Sequence, residues 1–126
     1  MGNGVRRYRD LIAWQLADEF RQEVFRLVRA SPVAWADLRY KGQLVDAATS
    51  VPTNIAEGFL RCSPEIRRFL DFSLGSLAEA ETRLTAGVDL GYFEKKDCEH
   101  AQRLARRCLV ATIRLKQSQR QPPKKR

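Results

Sequence analysis

Apolar residues return every three or four positions along most of the chain, and four such stretches predict four helices. The first begins near Asp10, an acid suited to a helix N-terminus, and buries a stripe of Ile12, Leu16, Phe20, Val24, Leu27 and Val28. Ser31-Pro32 ends it, because the residue before a proline avoids helical angles. The second stretch covers residues 34–60, with Leu44, Ala48, Val51, Ile55 and Phe59 on one face and Ser50, Asn54, Glu57 and Arg61 opposite. Pro52 lies inside it, donates no N–H and crowds the carbonyl of Ala48, which predicts a bend or local break. Small residues surround Pro52 and admit a second backbone closely, and Gly58 falls near the end of the helix. Ser63-Pro64-Glu65 opens the third helix with Ser as N-cap and Pro at the first helical position. Its inward stripe is Ile66, Leu70, Ser73, Leu74, Leu77, Leu84 and Val88, and Gly91 stops it. The fourth covers residues 94–117, with Ala101, Leu104, Ala105, Cys108, Leu109, Thr112 and Leu115 inward, before Gln121-Pro122-Pro123 breaks the pattern. No stretch alternates as a strand would.

The expected fold is all-α: an antiparallel up-down-up-down four-helix bundle with a kinked second helix. Residues 10–117 form the bundle domain, residues 1–9 a basic arm and residues 118–126 a basic tail. A chain of 126 residues suits one domain, and a hydrophobic fraction of 44% with 30% charged residues is ordinary for a globular one. No apolar run is long enough to span a bilayer, and no apolar segment follows the N-terminal arginines as in a secretory signal, so no membrane partner is expected. The three cysteines, Cys62, Cys98 and Cys108, form no CxxC pair, which points to a reduced cytoplasmic protein.

Several apolar residues fall off the core stripes: Leu11, Trp14 and Phe25 on the first helix, Phe72 and Leu90 on the third, Val110 and Ile113 on the fourth. They either widen the core, if the helix phases drift, or form an interface between copies of the chain, where Trp and Phe are enriched. The second alternative is favoured, with Leu11, Trp14, Phe25, Val110 and Ile113 as the contacts of a homo-oligomer.

Several motifs follow in order: Leu11-Ile12-Ala13-Trp14-Gln15-Leu16-Ala17, Ser50-Val51-Pro52-Thr53-Asn54-Ile55-Ala56-Glu57-Gly58 with Arg61, Arg68-Phe69-Leu70, Gly75-Ser76-Leu77-Ala78-Glu79-Ala80-Glu81 and Leu90-Gly91-Tyr92. Together they resemble the four-helix bundle family of 23S rRNA intervening-sequence proteins, itself similar to the accessory variability proteins of diversity-generating retroelements. The resemblance covers roughly residues 8–117. It implies a small bacterial bundle assembled as a ring-shaped homopentamer, associated with nucleic acid and, in the retroelement relatives, partnered with a reverse transcriptase.

Catalytic chemistry finds little support. A di-iron bundle uses a Glu-x-x-His motif on each of two helices, whereas this chain has one histidine, His100, with Asp97 before it. No cysteine has an evident His partner with a third orienting group, and no glycine loop cradles phosphate. The expectation is a protein that is not an enzyme and needs no metal or cofactor. Pro52, Asn54, Glu57, Gly58, Ser76 and Glu79 are assigned to structure, the polar ones as hydrogen-bonding groups across helices near the Pro52 bend. Glu81 projects close to the inward stripe and needs a partner if buried.

Charge carries the functional signal. The net charge is +8, nine of the 23 Lys and Arg follow His100, and all 15 acids precede it. In an up-down-up-down bundle both termini and the second interhelical connection share one end. That end would gather Arg6, Arg7, Arg9, Arg61, Arg67, Arg68, Arg114, Lys116, Arg120, Lys124, Lys125 and Arg126. Such asymmetry predicts a polyanionic partner, with RNA favoured by the resemblance, held through backbone contacts with weak sequence preference. The tail could instead serve only solubility, or the basic surface could dock another protein, such as a reverse transcriptase of a diversity-generating retroelement.

Overall fold

The computed structural model describes residues 7–61 and 64–119, and every element among them is helical. After a 3-10 turn at Tyr8–Asp10 come α1 (Ile12–Ala30), α2 (Pro32–Ala36), α3 (Leu38–Arg61), α4 (Glu65–Asp89) and α5 (Glu99–Ser118), the last preceded by a 3-10 turn at Lys95–Cys98. None of these helices is long and apolar enough to cross a membrane. One apolar core joins them, with Phe20, Leu44, Ile55, Leu70, Leu77 and Leu84 among its fully buried side chains.

Five helices stand where four were expected, because the second stretch divides at Asp37. Ser31 caps α2 by accepting from the Ala34 N–H at 3.2 Å. Asp37 is extended (φ −84°, ψ 90°), and its carboxylate accepts from the Tyr40 N–H at 3.1 Å to cap α3. A capping aspartate within an apparent helical run thus separates a short helix from a long one. Of the bend or local break expected at Pro52, the break does not occur: α3 is continuous through it, and Pro52 is buried. Side-chain donors serve carbonyls around the proline. Thr53 Oγ1 donates to Thr49 O at 2.8 Å, Asn54 Nδ2 to Ser50 O at 2.9 Å, and Ser73 Oγ from α4 to Val51 O at 2.8 Å.

Small and polar residues line the seam between α3 and α4. Ser76 Oγ donates to Ser50 Oγ at 2.8 Å, and Asn54 Nδ2 reaches the same Ser50 oxygen at 2.8 Å. A Cβ at Gly58 would stand 2.9 Å from Phe69 Cβ and 3.2 Å from Ile66 O, so only glycine lets α4 start this near α3. At the other end Tyr40 Oη donates to Arg83 O at 2.6 Å. Gly91, at φ 80°, closes α4 as expected, with Tyr92 N bonding Gly87 O at 2.8 Å and Gly91 N bonding Val88 O at 3.0 Å.

The inward stripes hold with three exceptions. Ile12 is 63% exposed while Leu11, expected outside, is 9% exposed and belongs to the core. The 3-10 turn makes Leu11 the N-cap of α1, in extended conformation (φ −72°, ψ 128°), so its side chain turns inward although a helical projection would send it out. Leu109 is 39% exposed, at the edge of the α5 stripe. Glu57 and Glu79 do not bridge helices. Both are exposed and pair along their own helices, with Arg61 at 3.5 Å and Arg83 at 3.3 Å.

Candidate nucleic-acid interface

The cations grouped by sequence into one basic end have very different surroundings. Arg6, Arg120, Lys124, Lys125 and Arg126 lie outside the described residues. Arg7 sits 3.5 Å from Asp10, and Arg9 lies over the rings of Tyr8 and Trp14, 5.5 and 5.2 Å from their centroids. Arg61 stands between Glu57 at 3.5 Å and Glu65 at 3.9 Å, and Arg68 is 3.8 Å from Glu65. Both guanidinium groups also lie over Phe69, at 5.2 and 5.4 Å, so α3 and α4 do bring them to one place. These exposed pairs are worth little individually, and a stronger anion can displace their carboxylates.

Arg67 and Lys116 each have partners within the chain. Arg67 is half-buried, and its Nη1 donates to Lys116 O at 2.8 Å and Gln119 O at 2.9 Å. A helix leaves its last carbonyls without intrahelical partners, and a guanidinium there satisfies them and the negative end of the helix dipole. Lys116 Nζ is 2.5 Å from the Asp71 carboxylate, tying α5 to α4 a second time. Of the twelve cations assigned to the end, Arg114 alone among the described ones is exposed with neither a carboxylate nor an aromatic ring against it.

On the outer face of α5 the sequence sets Val110 and Ile113 among Arg103, Arg106, Arg107 and Arg114. Val110 and Ile113 are exposed, as expected, at 47% and 38%. Around them Arg103, Arg106, Arg107 and Arg114 are all exposed, and none lies within 4.0 Å of a carboxylate among the described residues. Arg106 differs from the rest in facing Glu81, whose half-buried carboxyl is pushed up by burial and pulled back by that arginine.

The proposed contact residues of α1 are partly covered by their own chain. Trp14 is half-buried, edge-on to Tyr8 at 5.4 Å, and Phe25 is half-buried under Arg21 at 5.1 Å. A groove lined by Trp14, Phe25, Pro52 and Leu60 runs between α1 and α3. At the far end of the bundle a cavity of about 310 Å³ is lined by Phe25, Val28, Arg29, Trp35, Lys41, Gly42 and Val45, with Lys41 Nζ 3.9 Å from the Trp35 ring centroid. Sequence patterning missed it because it forms only where α2 turns into α3.

One buried charged group was also missed. Glu23 lies on the inward phase of α1, where only apolar residues were sought. Arg26 grips it with two hydrogen bonds, at 2.6 and 2.8 Å, and holds its carboxyl below the usual range against the opposing effect of burial. Cys108 lies fully buried in the core, and burial pushes its thiol up to about 11, away from the reactive thiolate.

The sequence profile of the 23S rRNA-intervening sequence proteins matches residues 9–112, most of the chain, and the chain belongs to that family. Among curated proteins none matches it.

Proposed function

We propose that this member of the 23S rRNA-intervening sequence protein family is a non-catalytic RNA-binding protein that works as a ring-like homo-oligomer, a pentamer by its resemblance. Its basic end would touch the phosphate backbone rather than read bases. The observation that carries this reading is the confinement of the positive excess: no acid follows Glu99, while nine Lys and Arg do. The family description fits an RNA-related role. An up-down-up-down course is supported by the contacts of Gly58 with Ile66, Ser50 with Ser76 and Tyr40 with Arg83, and by Arg67 of α4 reaching the end of α5. That course would set Arg7, the end of α3, the start of α4 and the end of α5 together. In a ring each copy would present this end to the same side, so weak phosphate contacts would add by avidity.

The test is a titration of a mixed-sequence single-stranded RNA with the full chain and with a chain lacking residues 118–126, at several salt concentrations. The tail removes Arg120, Lys124, Lys125 and Arg126, so affinity should drop for many sequences alike and the salt dependence should flatten by about three log units per log unit of salt. Light scattering should give the same oligomer for both chains. Failure of the full chain to bind RNA at low salt would end this reading and leave a protein adaptor in its place.

A further inference from the structure

We infer that the nucleic-acid contact does not stop at the terminal end but runs up the outer face of α5, through Arg114, Arg107 and Arg103, which leaves Val110 and Ile113 on the RNA-facing side and not in the subunit contact expected for them. This rests on the RNA-binding reading and extends it to a surface that the family match does not specify. Three observations converge.

The first is register. Residues 103, 107 and 114 are separated by four and seven positions, so they lie in one row along the helix. At about 1.5 Å per residue the row is about 16 Å long, and it points in sequence toward the tail with its four further cations. Its shape suits a linear, repeating anion better than a single carboxylate.

The second is availability. Each of the three is exposed, and none is within 4.0 Å of a carboxylate among the described residues. Arg61, Arg68 and Lys116 must first release Glu57, Glu65 or Asp71. A guanidinium in the row gives up only water, and it can meet a phosphate with two parallel hydrogen bonds.

The third is the field. The chain from His100 onward holds no acid, so nothing on α5 opposes a phosphate along this face after Glu99. Arg106, which faces Glu81, stands outside the row.

The experiment replaces the three with Arg103→Gln, Arg107→Gln and Arg114→Gln in the full chain. A companion carries Lys at the same positions, and Arg39→Gln serves as an exposed control elsewhere. Each is titrated with the same mixed-sequence RNA over a range of salt, and its mass is measured by light scattering. The Gln variant should bind roughly ten- to hundredfold more weakly near 0.1 M salt, with a salt slope reduced by about two. The Lys companion should keep the slope, the control should match the parent, and all masses should agree. If the parent binds RNA and the Gln variant binds alike with the same slope, the α5 row is not a contact, though the RNA-binding reading stands. If the Gln variant changes mass along with affinity, the face is a subunit contact and the inference falls. If the parent itself binds no RNA, both fall together.

Discussion

The terminal end of the bundle and the outer face of α5 are both rich in cations, but they use them differently. At the end Arg67 donates to the last carbonyls of α5, Lys116 holds Asp71, and Arg61 and Arg68 share Glu65 while lying over Phe69. Along α5, Arg103, Arg107 and Arg114 are exposed, with no carboxylate within 4.0 Å among the described residues. Helix termini and interhelical seams create fixed demands for cations, and the residues nearest to them are drawn in. Charge counted along a sequence therefore overstates what a phosphate can reach at a helix junction and understates it on an open helix face.

Arg67→Ala should separate the two regions most sharply. It leaves the carbonyls of Lys116 and Gln119, at the end of α5, without their charged donor, and stability should fall by about 2 kcal/mol in a denaturant titration. RNA affinity should change less than about twofold, since Arg67 already has partners; a loss of affinity without loss of stability would put it back among the ligands.

Glu23→Gln weakens the pair with Arg26 and should lower stability by about 1 kcal/mol at neutral pH. Arg26 holds the folded Glu23 carboxyl below its unfolded value, so the stabilisation is present above that range and lost as pH falls through the folded pKa. Parent and variant stabilities should accordingly converge at acid pH. A difference that persists unchanged there would assign the effect to packing instead.

Asp71→Asn should cost less than about 1 kcal/mol, because the pair it breaks is partly exposed. It frees Lys116, so RNA affinity should rise by about two- to fivefold near 0.1 M salt. An unchanged affinity would mean that the end of α5 faces away from the bound strand. The smallest stability effect is expected for Arg103→Gln alone, within about 0.5 kcal/mol, as for an exposed side chain with no partner.

Much of the bundle was legible because periodicity reports burial directly. Phe20, Leu44, Val51, Ile55, Leu70, Leu77, Leu84 and Cys108 are buried as their spacing requires. What failed was extrapolation past an element's end. Leu11 was projected onto a helix it only caps, and Asp37 was read inside a helix it starts. Glu23 escaped because a stripe drawn from apolar residues alone passes over an inward carboxylate with its own cation. Arg67 was grouped by charge alone, and its hydrogen bonds to the end of α5 were not foreseen. Only the position of α4 beside the end of α5 shows the carbonyls that claim it, and no spacing within α4 encodes that.

The most direct test sets three compensated arginines against three open ones. One chain carries Arg7→Gln, Arg61→Gln and Arg68→Gln; the other carries Arg103→Gln, Arg107→Gln and Arg114→Gln, with equal loss of formal charge. The measurement is the slope of log affinity for single-stranded RNA against log salt concentration. The account predicts that the α5 triple lowers the slope by about two and the terminal triple by less than about one. Equal reductions, or a larger one for the terminal triple, would contradict it.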